Sequence, residues 1–199
     1  MPHVISDIVD VYVFRRLNAR VQFLLLQRRP DVTLPHTWQA FHAQVHAGET
    51  TLEAVRRAVL DLAGLRVSEI YSADYVNQFY DENRDALVLA PVFAVNVSPQ
   101  APIDLADDFR DAAWYDRDEA TARLPFSGQR WAVRHIDEIM SLGEAETNIY
   151  HLDMETIQPA QREPDLEMSS ESIPESPDSD DEIVAGAGRS IPDDEADDD

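Results

Sequence analysis

The stretch HAGETTLEAVRRAVLDLAGL, His46 to Leu65, holds the residue types best suited to chemistry in this chain, with Gly48-Glu49 at its front, Arg56-Arg57 in its middle and Gly64 at its end. Carboxylates spaced i, i+3 and i+4 share one face of a helix and converge on hard, oxygen-seeking cations. Between Arg57 and Gly64 the stretch holds one acid, Asp61. Upstream, His42 and His46 lie four apart on one predicted strand face of WQAFHAQVHA. A histidine pair suits softer ions such as Mn²⁺ or Zn²⁺, although on a half-exposed strand two histidines are usually polar surface. No serine stands in a nucleophile elbow, and no phosphate-binding loop is found among the six glycines. The chain has no cysteine, which removes disulfides, thiolate zinc sites and a thiol nucleophile together.

The elements that would position these groups are legible from periodicity. DIVDVYVF (7–14) and VQFLLL (21–26) read as strands, and the short LNAR between them as a hairpin turn. Trp38 to His46 alternates and reads as one strand feeding the helix. That helix starts at a capping box, Thr50 with Glu53 three residues on, repeats Leu52, Val55, Val59 and Leu62 at helical spacing, and stops at Gly64. RVSEIYSADYVNQFY, ALVLAPVFAVNV and FRDAAWYD follow as strands, and DRDEATARL and SGQRWAVRHIDEIMSL as closing helices. Within the last helix Trp131, Val133, Ile136, Ile139 and Met140 are the expected packing residues. Strands and helices mix without a regular βαβ repeat, so the expected fold is an α/β sandwich on a mixed sheet.

Charge divides the chain. Residues 141–199 hold 19 Asp or Glu against two Arg, most of the formal −23. This segment is rich in Ser and Pro and nearly free of aromatics, so it buries too little to offset its ordering entropy. The expected division is a folded domain over 1–142 and a disordered acidic tail over 143–199. The tail reads as a solubilising extension or as a docking segment for a basic protein partner. All 16 basic residues are arginines and scattered, which argues against nucleic acid as a partner. No apolar run approaches membrane-spanning length, and MPHVISDIVDVYVF lacks the marks of a secretory signal, so the expected location is cytoplasmic.

The order strand, Gly-Glu, amphipathic helix, Gly resembles the Nudix hydrolases, whose box is G-x5-E-x7-R-E-U-x-E-E-x-G-U, with U aliphatic. Laid on Ala43 to Leu65, Glu49, Arg57, Val59, Gly64 and Leu65 match. Ala43 replaces the first glycine, Ala58 the glutamate after the arginine, Asp61 the first glutamate of the pair and Leu62 the second. The resemblance runs over roughly residues 4–142, where PHTWQAFHAQVHAGET, QFYDENRDALVLAPVFAV and LPFSGQRWAVRHI look like a subgroup acting on dATP or dihydroneopterin triphosphate.

The resemblance implies a Nudix-type α/β/α sandwich and a metal-dependent pyrophosphohydrolase of nucleoside or pterin polyphosphates, using Mg²⁺ or Mn²⁺. It assigns Glu49 and Arg57 to a structural pair. It leaves Asp61 and Asp108 as metal ligands, with Asp107 the near alternative and His42 with His46 a replacement set beside those acids. Losing two of three helix glutamates predicts impaired catalysis with retained binding of a nucleoside or pterin polyphosphate or of a protein partner, or, as the alternative, slow hydrolysis of a nucleoside triphosphate (dATP-like) or dihydroneopterin triphosphate. Arg28 beside Arg29, Arg56 and Arg57 are candidates to face a polyphosphate, and Trp38, Phe79 and Tyr80 to stack a ring, although strand aromatics are more often core.

Overall fold

The computed structural model describes residues 3–18 and 20–153. Strands β1 (His3–Ile5), β2 (Ile8–Leu17), β3 (Arg20–Arg28), β4 (Trp38–Gln39) and β5 (Phe41–Gln44) precede helix α1 (Thr51–Ala63). Strands β6 (Val67–Asp81), β7 (Ala86–Val97) and β8 (Phe109–Tyr115) lead into α2 (Arg117–Arg123), α3 (Ser127–Met140), α4 (Glu144–Thr147) and a 3₁₀ turn at Asn148–Tyr150. All eight strands join one mixed sheet with the path β1-β7-β2-β3-β4. The β1–β7 and β2–β7 pairings are parallel, and the other strand pairs run antiparallel.

Strand alternation builds two cores from one sheet. Val9, Val11 and Val13 of β2, with Leu24 and Leu26 of β3, meet Leu52, Val55 and Val59 of α1. Tyr12, Phe14, Phe23 and Leu25 point the other way, against Ala132, Val133 and Ile136 of α3. The result is the expected α/β/α sandwich. Each fully buried Val, Leu or Ile on these faces contributes about 1.5–3 kcal/mol relative to exposure.

Helix α1 begins and ends where its sequence requires. Glu53 N–H donates to Thr50 Oγ1 at 3.3 Å, and Thr50 N–H donates to Glu53 Oε2 at 2.7 Å. At the far end Gly64 adopts φ 65°, its N–H reaching Leu60 O at 2.8 Å. An added Cβ there would lie 2.7 Å from Asp104 Cβ, so glycine is demanded twice over.

Four expectations need correction. The strand expected over Trp38–His46 is broken at fully buried Ala40, because the chain changes neighbours there: β4 pairs with β3, and β5 with β2. The three-residue β1, too short and exposed to show a period, was not expected. Trp131 is 59% exposed, with the Arg134 guanidinium 5.4 Å from its ring, while Val133, Ile136, Ile139 and Met140 pack inward as expected. Folded structure also passes the expected boundary at Gly143. Helix α4 follows it, Thr147 is buried, and Leu152 N–H donates to Ile70 O at 2.9 Å. The remainder of the expected acidic tail lies outside the described residues.

Candidate functional site

A cavity of about 360 Å³ opens between the ends of β3, β4 and β5, the C-terminal half of α1 and the start of α3. Leu62 of α1 lines it, together with Phe109, Pro125 and half-exposed Phe126. Its polar wall is formed by Arg28, Thr37, Gln39, His42, Asp108 and Gln129. The Nε–H of Arg28 is buried and lacks a hydrogen-bond partner among the described residues.

The helix face expected to hold cations is arranged differently. Ala58 is 2% exposed and packed into the sandwich. Leu62 presents an apolar side chain to the cavity, and Asp61 is exposed and off its wall. Of the two acids expected as metal ligands, Asp108 lines the cavity and Asp61 does not, and of the histidine pair His42 lines it. Among the described residues no group of three or more His, Cys, Asp or Glu is placed to hold a metal ion. The donors present do not fit a multi-ion magnesium centre, which needs several oxygen ligands converging on each ion.

Glu49 and Arg57 make a bidentate pair. Arg57 Nε–H donates to Glu49 Oε1 at 2.7 Å and Nη2–H to Oε2 at 2.9 Å, while Nη2 also reaches Gln44 O at 2.8 Å. These bonds clamp the β5–α1 loop to the middle of the helix. The Arg57 guanidinium, helped by His46 N–H at 3.0 Å, lowers the Glu49 carboxyl from 4.5 to about 2, against the opposing effect of burial.

The proposed substrate contacts are dispersed. Arg28 is on the cavity wall. Trp38 is half-buried against the α3-side core, edge-on to Tyr115 with 5.4 Å between ring centres. Phe79 and Tyr80 are exposed on β6 away from the cavity, and Tyr80 O–H donates to Asp85 at 2.7 Å. Arg29 pairs with Asp31 at 3.0 Å, and Asp107 is engaged through its carbonyl by Arg29 at 3.2 Å. His46 is exposed, and the structure does not bring it to the cavity with His42.

A second polar cluster had no sequence-based expectation. Asp10 of β2, 2% exposed, is the register partner of His42 across the β2–β5 ladder. His42 Nδ1 lies 2.5 Å from Asp10 Oδ1, and Asn77 Nδ2–H donates to Asp10 Oδ2 at 2.7 Å. On the ring's other side, Gln129 Nε2 is 3.2 Å from His42 Nε2. Gln129 is 4% exposed, and its Oε1 has no partner among the described residues. Asp10 is the only charged residue in an otherwise apolar stretch of β2, flanked by Val9 and Val11, and that interruption was the available signal.

A NUDIX domain model matches residues 7–136. The chain belongs to the NUDIX family. This NUDIX domain is 31% identical over 128 residues to an octanoyltransferase from Myxococcus xanthus, an alignment covering 63% of this chain and 35% of that one. The domain therefore spans about a third of that relative's length. Among solved structures it is similar to a Caenorhabditis elegans Ap4A hydrolase binary complex, at TM-score 0.58 and 16% identity, over 69% of this chain and 98% of that one. It is also similar to the Escherichia coli dihydroneopterin triphosphate pyrophosphohydrolase, at TM-score 0.54 and 19% identity, over 68% and 94%. At these identities the likeness is one of fold.

Proposed function

We propose that this NUDIX domain binds a nucleoside or pterin polyphosphate in the 360 Å³ cavity and is impaired in cation-dependent hydrolysis. One observation carries the reading: Leu62 stands on the cavity wall, and Ala58 is buried, at positions where the box has glutamates. An apolar wall gathers no cation, and losing ligands for a charge-neutralising metal removes several kcal/mol of transition-state stabilisation. The relatives named for Ap4A and for dihydroneopterin triphosphate support the ligand class. The cytoplasm is the proposed setting.

A second reading, slow pyrophosphohydrolysis with Mg²⁺ or Mn²⁺, is favoured by Asp108, which does line the cavity. One or two protein carboxylates suffice for magnesium when phosphates supply the remaining ligands. The full chain, heated with dATP, dihydroneopterin triphosphate or Ap4A, separates the two. A bound compound at a hundred times its Kd stabilises the fold by about 2.7 kcal/mol. Stabilisation with no cation-dependent turnover is the expected result. Turnover that appears with Mg²⁺ or Mn²⁺ and is absent in EDTA, read as phosphate or pyrophosphate from the triphosphates and as adenine nucleotides from Ap4A, would establish the slow enzyme instead.

A further inference from the structure

We propose that Gln129 is a specificity-determining residue, whose Oε1 selects ligands with an exocyclic amine on the ring over those with an oxo group at the same position. The inference rests on the reading that a nucleoside or pterin polyphosphate occupies the cavity, and it names the ring chemistry the cavity accepts.

A primary amide carries an acceptor and a donor of nearly the same shape, so what Gln129 offers a ligand depends on what holds its other half. Asp10 is 2% exposed and faces His42 Nδ1 with one oxygen, while its second oxygen accepts from Asn77. The carboxylate draws the ring hydrogen to Nδ1 and leaves His42 Nε2 with one lone pair. The Gln129 Nε2–H, at 3.2 Å, takes that lone pair. Both ring nitrogens are then engaged, and the imidazole serves to lock the amide. Asn77 is itself tight against α3, where a Cβ on Gly128 would lie 1.9 Å from its Oδ1. The orientation of one amide is thus decided by Asn77, Asp10 and His42 on three strands.

With Nε2 committed to His42, Oε1 is the polar atom Gln129 has left. Gln129 lines the cavity, is 4% exposed, and its Oε1 has no partner among the described residues. Solvent can serve this oxygen only while the cavity is open to it. A ligand that fills the cavity must replace that donor or bind more weakly. An exocyclic amine supplies the N–H directly, whereas an oxo group at the same place sets two acceptors against each other. Adenine nucleotides and pterins both carry such an amine. The other unpartnered atom on the wall, the buried Arg28 Nε–H, needs an acceptor, which polyphosphate oxygens supply, so the two atoms do not compete for the ring. Gln129 touches the ligand in this scheme, and His42 and Asp10 are positioning residues that set which end of its amide faces the ring.

The test uses the full chain at about pH 8, where an ordinary histidine is neutral, with excess EDTA so that no cation-dependent turnover consumes the probes. Calorimetry gives Kd for dATP, dITP and the deoxynucleoside triphosphate of unsubstituted purine, which carry an amine, an oxo group and a hydrogen at one ring position. The expected order has dATP tightest and dITP about 10–100-fold weaker. Gln129→Leu should weaken dATP and bring the three within a few-fold, and a preference for dATP that survives this change overturns the inference. Asp10→Asn should invert the order. Its carbonyl stays with Asn77 and its amide donates to His42 Nδ1, which moves the ring hydrogen to Nε2 and turns the Gln129 amide around. Loss of packing alone does not produce an inversion, and an order unchanged in this variant contradicts the proposal. Equal affinities in the native chain, or a preference for dITP, overturn it and leave the binding reading standing, whereas no binding of any probe removes both. Should Asp10→Asn fail to fold, nitrogen-15 spectra of the native chain decide: the expected tautomer is Nδ1–H, and an Nε2–H tautomer or an imidazolium would sink the assignment.

Discussion

His42 Nδ1 and Asp10 Oδ1 lie 2.5 Å apart across the β2–β5 ladder, and through Asn77 the pair is coupled to the first turn of α3. Its integrity depends on a residue with no side chain. Gly128→Ala puts a Cβ 1.9 Å from Asn77 Oδ1, so Asn77 must swing away and Asp10 loses its second donor. A loss of about 1–3 kcal/mol in chemical denaturation is expected. In Asn77→Ala the same glycine change should cost almost nothing more, and full additivity in that double-mutant cycle would contradict the coupling.

The Glu49–Arg57 clamp makes stability depend on pH. The folded carboxyl titrates at about 2 and an unrestrained one at 4.5, so on acidification the unfolded chain takes up its proton first. The stabilisation is therefore complete above pH 4.5 and disappears as pH falls toward 2. Glu49→Gln should lower the midpoint of denaturation at neutral pH and flatten this acid limb. An unchanged limb would mean that the pair contributes nothing to the fold.

Ala58→Glu with Leu62→Glu returns two carboxylates to α1. Ala58 is 2% exposed, so the first change buries a charge, and the double variant should be less stable than the native chain in EDTA by several kcal/mol. Mn²⁺ should restore part of that loss in the double variant and none in the native chain. Recovery of cation-dependent hydrolysis would show that the cavity remains otherwise competent. Equal responses to Mn²⁺ in both chains would count against the reading of these positions.

The elements whose signals are local were legible in the sequence. Helix α1 declares both ends through Thr50, Glu53 and Gly64, and the replaced positions of the box are visible as residue types. What escaped depends on distance along the chain. Asp10 and His42 are 32 residues apart, and His42 and Gln129 are 87 apart, so their meeting is decided by strand register and by where α3 docks. Trp38 is readable either as a ring-stacking residue or as core, and only tertiary packing, edge-on to Tyr115, shows where its ring sits. Asp61 has the right type and spacing, but the face it shares with exposed Leu60 turns outward.

The acids left on and around α1 do not assemble a cation centre, and calorimetric titration of the full chain with Mn²⁺ checks this at the site itself. No site tighter than about 1 mM, roughly 4.1 kcal/mol of binding free energy, should depend on Asp61 or Asp108. The weak uptake by tail carboxylates should be the same in native, Asp61→Asn and Asp108→Asn chains. A saturable site of micromolar affinity that vanishes in either variant would contradict the claim.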